Sequence, residues 1–207
     1  MKRVAVLCLA LLAAGCGNPK HPTVTDESAR AMIVAQFKAR GVKNASSLLD
    51  MDVQPFGART KVVKVTFRGM MPVSITRWIV DAGHGARPVE ISSLLYAFQT
   101  DYPCVRTEHD KVSLANLFVQ LIAVYHQEII DSTNDIPGYD NAPLDPDLAQ
   151  SVRAPFHIGE KSYVLFTYQQ IGGHVRRYRF TFRLTGVLDE VDCLELGSGI
   201  GEARYRL

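Results

Sequence analysis

The chain has 207 residues, 47% hydrophobic and 21% charged, with 23 Lys and Arg against 21 Asp and Glu. That composition excludes a disordered or collagen-like chain and supplies apolar surface for one ordinary domain or two small ones packed together. With the charges this nearly balanced, nucleic acid is not expected as a partner.

Met1 to Cys16 is the first organised segment. Lys2 and Arg3 form a positive n-region, Val4 to Leu12 a short apolar core, and Ala13-Ala14-Gly15 put small side chains directly before Cys16. Val4 to Ala14 is far shorter than the roughly 20 apolar residues that cross a bilayer, which favours an export signal over an uncut span. The segment resembles the lipobox of bacterial lipoproteins, with Ala13 where Leu is most common. The resemblance implies that residues 1–15 are a signal peptide cut before Cys16, and that Cys16 is diacylated on sulfur and acylated on nitrogen. Several acyl chains supply the two or more signals that stable anchoring needs, at about 0.8 kcal/mol per buried methylene. Gly17, where Asp would retain an enterobacterial lipoprotein, implies an outer-membrane anchor with the domain facing the periplasm. The periplasmic face of the inner membrane is the alternative, and a soluble periplasmic protein is the reading without lipidation.

Loss of Lys2 and Arg3 with the signal takes the 23 basic residues to 21, equal to the acidic count. Cys8 leaves with the signal and Cys16 is the lipid site, so Cys104 and Cys193 are left to form the expected disulfide in an oxidising compartment. Closing a loop of about 90 residues contributes roughly 4 to 5 kcal/mol in the chain-entropy model. A reactive thiol at Cys104 near His109 is the functional alternative.

Residues 16–24, with Pro19 and Pro22, read as a tether. A helix starts at Thr25 as N-cap, with Asp26 and Glu27 in its first turn and Gly41 as its stop; Met32, Ile33 and Phe37 form its core stripe. Four strand signals follow, at Met51 to Phe56, Thr60 to Arg68, Ser74 to Asp81 and Val89 to Phe98. In the second, Val63, Val65 and Phe67 alternate with Lys64, Thr66 and Arg68.

The order then repeats. Asp110 or Ser113 can cap a long helix in which Leu114, Leu117, Phe118, Leu121, Ile122, Tyr125 and Ile129 fall at three-and-four spacing. Ser132 to Gln150, rich in Pro, Asp and Asn, reads as a long loop. Strands are expected at Ala154 to Ile158, Tyr163 to Gln169, Val175 to Leu184 and Val187 to Leu196, with Ile171-Gly172-Gly173-His174 as a tight turn. The expected class is therefore α+β, with helices packed on antiparallel sheet in two helix-plus-meander halves, 25–101 and 102–207, packed as one unit. The element order is similar to that of cystatin-like, PepSY-like and beta-lactamase-inhibitor-like folds.

Catalytic signals are sparse. Glu108-His109-Asp110 places a histidine between two acids, as a general base needs, but the acids equally suit the first turn of the helix that follows. No nucleophile elbow and no His-Glu-x-x-His run is present, and His126 and Glu128, two apart, face different ways on a helix. Asp131, Asp135, Asp140, Asn141, Asp145 and Asp147 crowd one loop without the calcium-loop register, so no metal or other cofactor is expected.

Two features favour recognition. Arg177, Arg179 and Arg183 share one face of a strand, with Tyr178, Phe180, Phe182 and Leu184 on the other. The row suits anionic headgroups, an anionic partner or cell-wall carboxylates, and equally a solvated sheet face. Gln169-Gln170-Ile171-Gly172-Gly173 resembles, over those five residues, the Gln-x-Val-x-Gly hairpin with which cystatins plug cysteine-protease clefts; a plain hairpin is the default reading. The expectation is a non-enzymatic lipoprotein, held at the membrane by its acyl chains, that binds or scaffolds an envelope protein assembly. An anchored inhibitor using Gln169, Ile171 and Gly172 and an envelope hydrolase using His109 are the alternatives.

Overall fold

The computed structural model describes residues 23–69, 74–105, 107–123, 125–136 and 150–200. The signal segment with Cys8 and Cys16, nearly all of the tether, and most of the expected Ser132 to Gln150 loop lie outside these residues. The chain divides into two compact units, Met1–Val105 and Arg106–Leu207. The class is α+β, with four helices and two antiparallel sheets among the described residues.

In the first unit, α1 spans Asp26–Ala39 and starts as expected: Thr25 Oγ1 accepts from Ser28 N at 3.1 Å, and Asp26 and Glu27 occupy the first turn. Gly41, with φ of 85°, supplies the left-handed residue after the Arg40 cap. A short α2, Ala45–Leu48, leads into β1 (Leu49–Pro55), β2 (Thr60–Phe67), β3 (Ile75–Asp81) and β4 (Gly85–Pro88), a meander in spatial order 1-2-3-4. Ala29, Ile33 and Phe37 of α1 bury against Val63, Val65, Trp78, Val80 and Ala86, with Met32 only partly buried. The Phe37 ring stands 5.2 Å from those of Phe67 and Trp78.

The opposite face, carrying buried Val62 and Ile79, is met by α3, Ile91–Asp101, whose Phe98 ring lies 4.9 Å from Phe56. The expected strand Val89 to Phe98 is therefore a helix. Ile91, Leu94, Leu95 and Phe98 sit at helical spacing, and Ser93 Oγ accepts from Glu90 N at 2.9 Å, closing a capping box. The fourth strand is instead Gly85–Pro88, hidden among glycines that read as turn.

In the second unit, α4 spans Glu108–Ile122. Its cap is Thr107, rather than Asp110 or Ser113: Thr107 Oγ1 accepts from Asp110 N at 3.1 Å and Asp110 Oδ2 from Thr107 N at 3.2 Å. The helix stops at Ile122, short of Tyr125 and Ile129. Ala123 turns extended, and Gln127–Ile130 becomes β5, because Ile129 and Ile130 gain ladder partners on β7 that a further helical turn lacks. His126 and Glu128 thus leave the helix, and their side chains pair at 2.7 Å. A 3-10 turn at Thr133–Asp135, β6 (Phe156–Ile158), β7 (Ser162–Gln169), β8 (His174–Phe182) and β9 (Leu188–Gly197) complete the unit.

The sheet runs β5-β7-β8-β9, with β6 pairing the start of the β7 edge whose end pairs β5. On one face Phe118 of α4 meets Phe180, ring centroids 5.5 Å apart. A second cluster gathers Val164, Phe166, Tyr168 and Val175 with Ile130, Ile136, Val152 and Ile200. β7 is buried on both faces, which is why its sequence is a continuous apolar run rather than an alternation.

Candidate functional site

The arginine row on β8 is built by register. Arg177 stands opposite Leu194 of β9 and Arg179 opposite Asp192. Arg179 pairs with Asp192 at 3.5 Å and Arg183 with Asp189 at 2.6 Å, while Arg176, on the other face of the strand, pairs with Glu195 at 3.4 Å. The acids of β9 therefore neutralise most of the row, in exposed cross-strand pairs of the kind that contribute about 0 to 1 kcal/mol each. Two placements differ from the alternation in the sequence. Irregular pairing between Thr181 and Phe182 ends the strand, so Arg183 and Leu184 lie in the turn beyond it, and Leu184 is 81% exposed instead of continuing the buried row of Tyr178, Phe180 and Phe182. No described carboxylate pairs with Arg177.

At the near end of the strand, the Gln169 to Gly173 hairpin is tied inward. Gln169 Nε2 donates to Ile171 O at 2.9 Å, and Gln169 Oε1 accepts from Arg176 at 3.0 Å. Gly172 and Gly173 have φ of 86° and 56°, in the left-handed region that favours glycine. Their carbonyls accept from Gly199 N and Ile200 N at 2.9 and 3.1 Å, and a Cβ on Gly173 would fall 2.4 Å from the Ile200 backbone. Ile171 projects from the tip, 58% exposed.

Beside the hairpin lies a polar group on the sheet face. Tyr178 is the register partner of Cys193, and the two side chains hydrogen-bond, with Gln127 of β5 near the phenol. Burial, helped by Cys193, pushes the Tyr178 phenol up to about 12. Burial also raises the Cys193 thiol, against the opposing hydrogen bond from Tyr178. His174 Nδ1 stands 3.2 Å from Glu195 Oε2. The Gln127 amide and the fully buried Thr167 hydroxyl have no hydrogen bond of good geometry among the described residues. The group keeps Cys193 protonated at neutral pH, the state of a structural rather than a nucleophilic thiol. Among the described residues no disulfide is formed; Cys104 belongs to the first unit and Cys193 to the second.

No family model, curated protein or solved structure matches this chain.

The Glu108-His109-Asp110 tripeptide is helix-capping in its geometry. Asp110 closes the capping box, and Glu108 bonds Lys111 at 2.7 Å and His157 at 3.1 Å, with the Lys111 bond holding its carboxyl below the usual range. His109 is exposed in the first turn, and no described carboxylate pairs with it. In the acidic loop, Asp135 Oδ2 accepts from the backbone N of Asp131 and Ser132 at 2.8 and 2.9 Å, and those bonds lower its carboxyl. Asp140, Asn141, Asp145 and Asp147 lie outside the described residues. Among those described, no three His, Cys, Asp or Glu residues are arranged to hold a metal.

One constellation escaped sequence reasoning. At the β3–β4 hairpin the buried Asp81 accepts from Gly83 N at 2.9 Å, His84 N at 2.7 Å and His84 Nδ1 at 3.1 Å through Oδ1, and from Arg87 at 3.0 Å through Oδ2. Tyr96 of α3 brings its hydroxyl to 3.1 Å from the same Nδ1, and the Arg87 guanidinium lies 4.8 Å from its ring centroid. An acceptor-only carboxylate assigns a proton to Nδ1 of this half-exposed imidazole. The available signal was an Asp three residues before a His across a glycine turn; the contribution of Tyr96 required the tertiary fold.

Proposed function

We propose that the chain is a lipid-anchored envelope protein, held at the outer membrane through Cys16, whose α+β units bind or scaffold a protein partner in the periplasm. The observation that carries the reading is the run Lys2-Arg3, Val4 to Leu12 and Ala13-Ala14-Gly15 before Cys16. A binding role agrees with carboxylates and arginines engaged in mutual pairs on β8 and β9 and with a thiol kept protonated. The test is acyl labelling and membrane fractionation of the full chain against Cys16→Ser, with crosslinking from intact envelopes. Label and membrane association lost in the variant, together with a stoichiometric partner recovered only from the anchored chain, support the proposal. An unlabelled, freely soluble wild-type chain sinks it.

The exposed Ile171 at the tip of a locked hairpin favours one second reading, an anchored protease inhibitor. Replacing Ile171 and Gly172 with Asp abolishes cysteine-protease inhibition on that reading; a chain that never inhibits eliminates it.

A further inference from the structure

The end of α3 meets the β1–β2 turn, residues 56–59, at an unusual carboxyl. Asp101 is only 6% exposed. Its Oδ1 accepts from Arg59 N at 2.9 Å, and the Thr60 hydroxyl faces the carboxyl from β2. Neither Asp101 Oδ2 nor Thr60 Oγ1 has a hydrogen bond of good geometry among the described residues. Gly57 presses on the same group so closely that a Cβ there would lie 2.3 Å from Asp101 Cγ. The next residue ties the turn a second time, Tyr102 donating its hydroxyl to the Phe56 carbonyl.

We infer that Asp101 is a proton-operated latch between α3 and the β1–β2 turn, which closes more firmly when its carboxyl is neutral. An ionised carboxylate in that position has one oxygen buried with only the poorly aligned Thr60 hydroxyl to compensate it, a state that costs more than burying the neutral acid. The groups facing it are the Arg59 charge and backbone amide, the Thr60 hydroxyl and the Tyr102 phenol. The Arg59 and Thr60 interactions favour ionisation, but desolvation outweighs them and holds the carboxyl above its ordinary value of 3.8. A group raised on closing contributes its full stabilisation below the ordinary carboxylate value and loses it as pH climbs through the value in the closed turn. Mild acid tightens the turn and neutral pH loosens it, opposite to the behaviour of a salt-bridged aspartate.

The experiment compares the full chain with Asp101→Asn in thermal unfolding from about pH 4 to about pH 8. Amide exchange at Arg59 in the wild type, corrected for intrinsic rates, is the second readout. The expected result is that the wild type loses Tm relative to the Asn chain as pH rises. Arg59 protection then falls by about tenfold for each unit by which the closed-turn value exceeds 3.8. A Tm difference that is flat or moves the other way, or Arg59 protection that does not fall with pH, overturns the latch. If Asp101→Asn does not fold, the wild-type exchange profile alone decides.

Discussion

Tyr178 and Cys193 are register partners across β8 and β9, and the hydrogen bond between them favours the thiolate on a face where burial opposes it. Burial prevails, so the thiol stays protonated past its ordinary range. In a chain carrying Cys8→Ser, Cys16→Ser and Cys104→Ser, the alkylation rate of Cys193 plotted against pH has its midpoint above 9.0, the value of an ordinary thiol. Tyr178→Phe moves that midpoint further up, since it removes the interaction that lowers it. A midpoint at or below 9.0 in the wild-type sheet rejects the account.

Tyr102 and Tyr178 each ionise near 12 instead of 10.0, in both cases chiefly through burial. Because the folded value exceeds the unfolded one, the stability tied to the neutral phenols is complete below about pH 10. It is lost as pH rises through about 12. Spectrophotometric titration should show two phenols whose ionisation coincides with alkaline unfolding. Two tyrosines deprotonating at that pH in a chain that stays folded would separate the ionisation from the fold and refute the linkage.

Asp81 holds the β3–β4 hairpin through two backbone amides, the His84 ring and the Arg87 guanidinium. Asp81→Ala removes every one of these acceptors and leaves a half-buried guanidinium without its carboxylate, for an expected loss of about 2 to 4 kcal/mol in denaturant unfolding. Asp81→Asn keeps an oxygen for the amides and should lose about half as much. Equal losses in both variants would place the effect in the Arg87 ion pair alone.

The parts of the fold legible in the sequence are those governed by local rules. Thr25 and Gly41 bracket α1, and Val63 alternating with Lys64 marks β2, because a cap and a half-buried strand each leave a pattern within a few residues. Ile91 to Asp101 misled because α3 mixes strand-like Ile and Phe with helical spacing, and its decisive Glu90–Ser93 box lacks the usual Ser or Thr cap. Tyr125 and Ile129 continued the helical spacing of α4 by coincidence; only the ladder to Thr167 and Phe166 shows that Ile129 and Ile130 belong to a strand. The arginine row was visible, but its neutralisation depends on the β8–β9 register, irregular at two places, which no single-strand pattern contains. Asp101, Thr60 and Gly57 are ordinary residues in sequence, and only the tertiary approach of α3 to the β1–β2 turn makes them a group.

The edge of β7 shared by β5 and β6 also sets an order of assembly. Among the described residues, the ladders of the first unit join strands adjacent in sequence, and so do those of β6, β7, β8 and β9 in the second. β5 is the exception, reaching β7 across the whole intervening segment, and loop-closure entropy makes that pairing the late event in folding. Until β5 docks, residues 166–169 of β7 present an unpaired strand edge. The short four-residue β5 therefore covers a strand edge that would otherwise stay open to pairing with another chain.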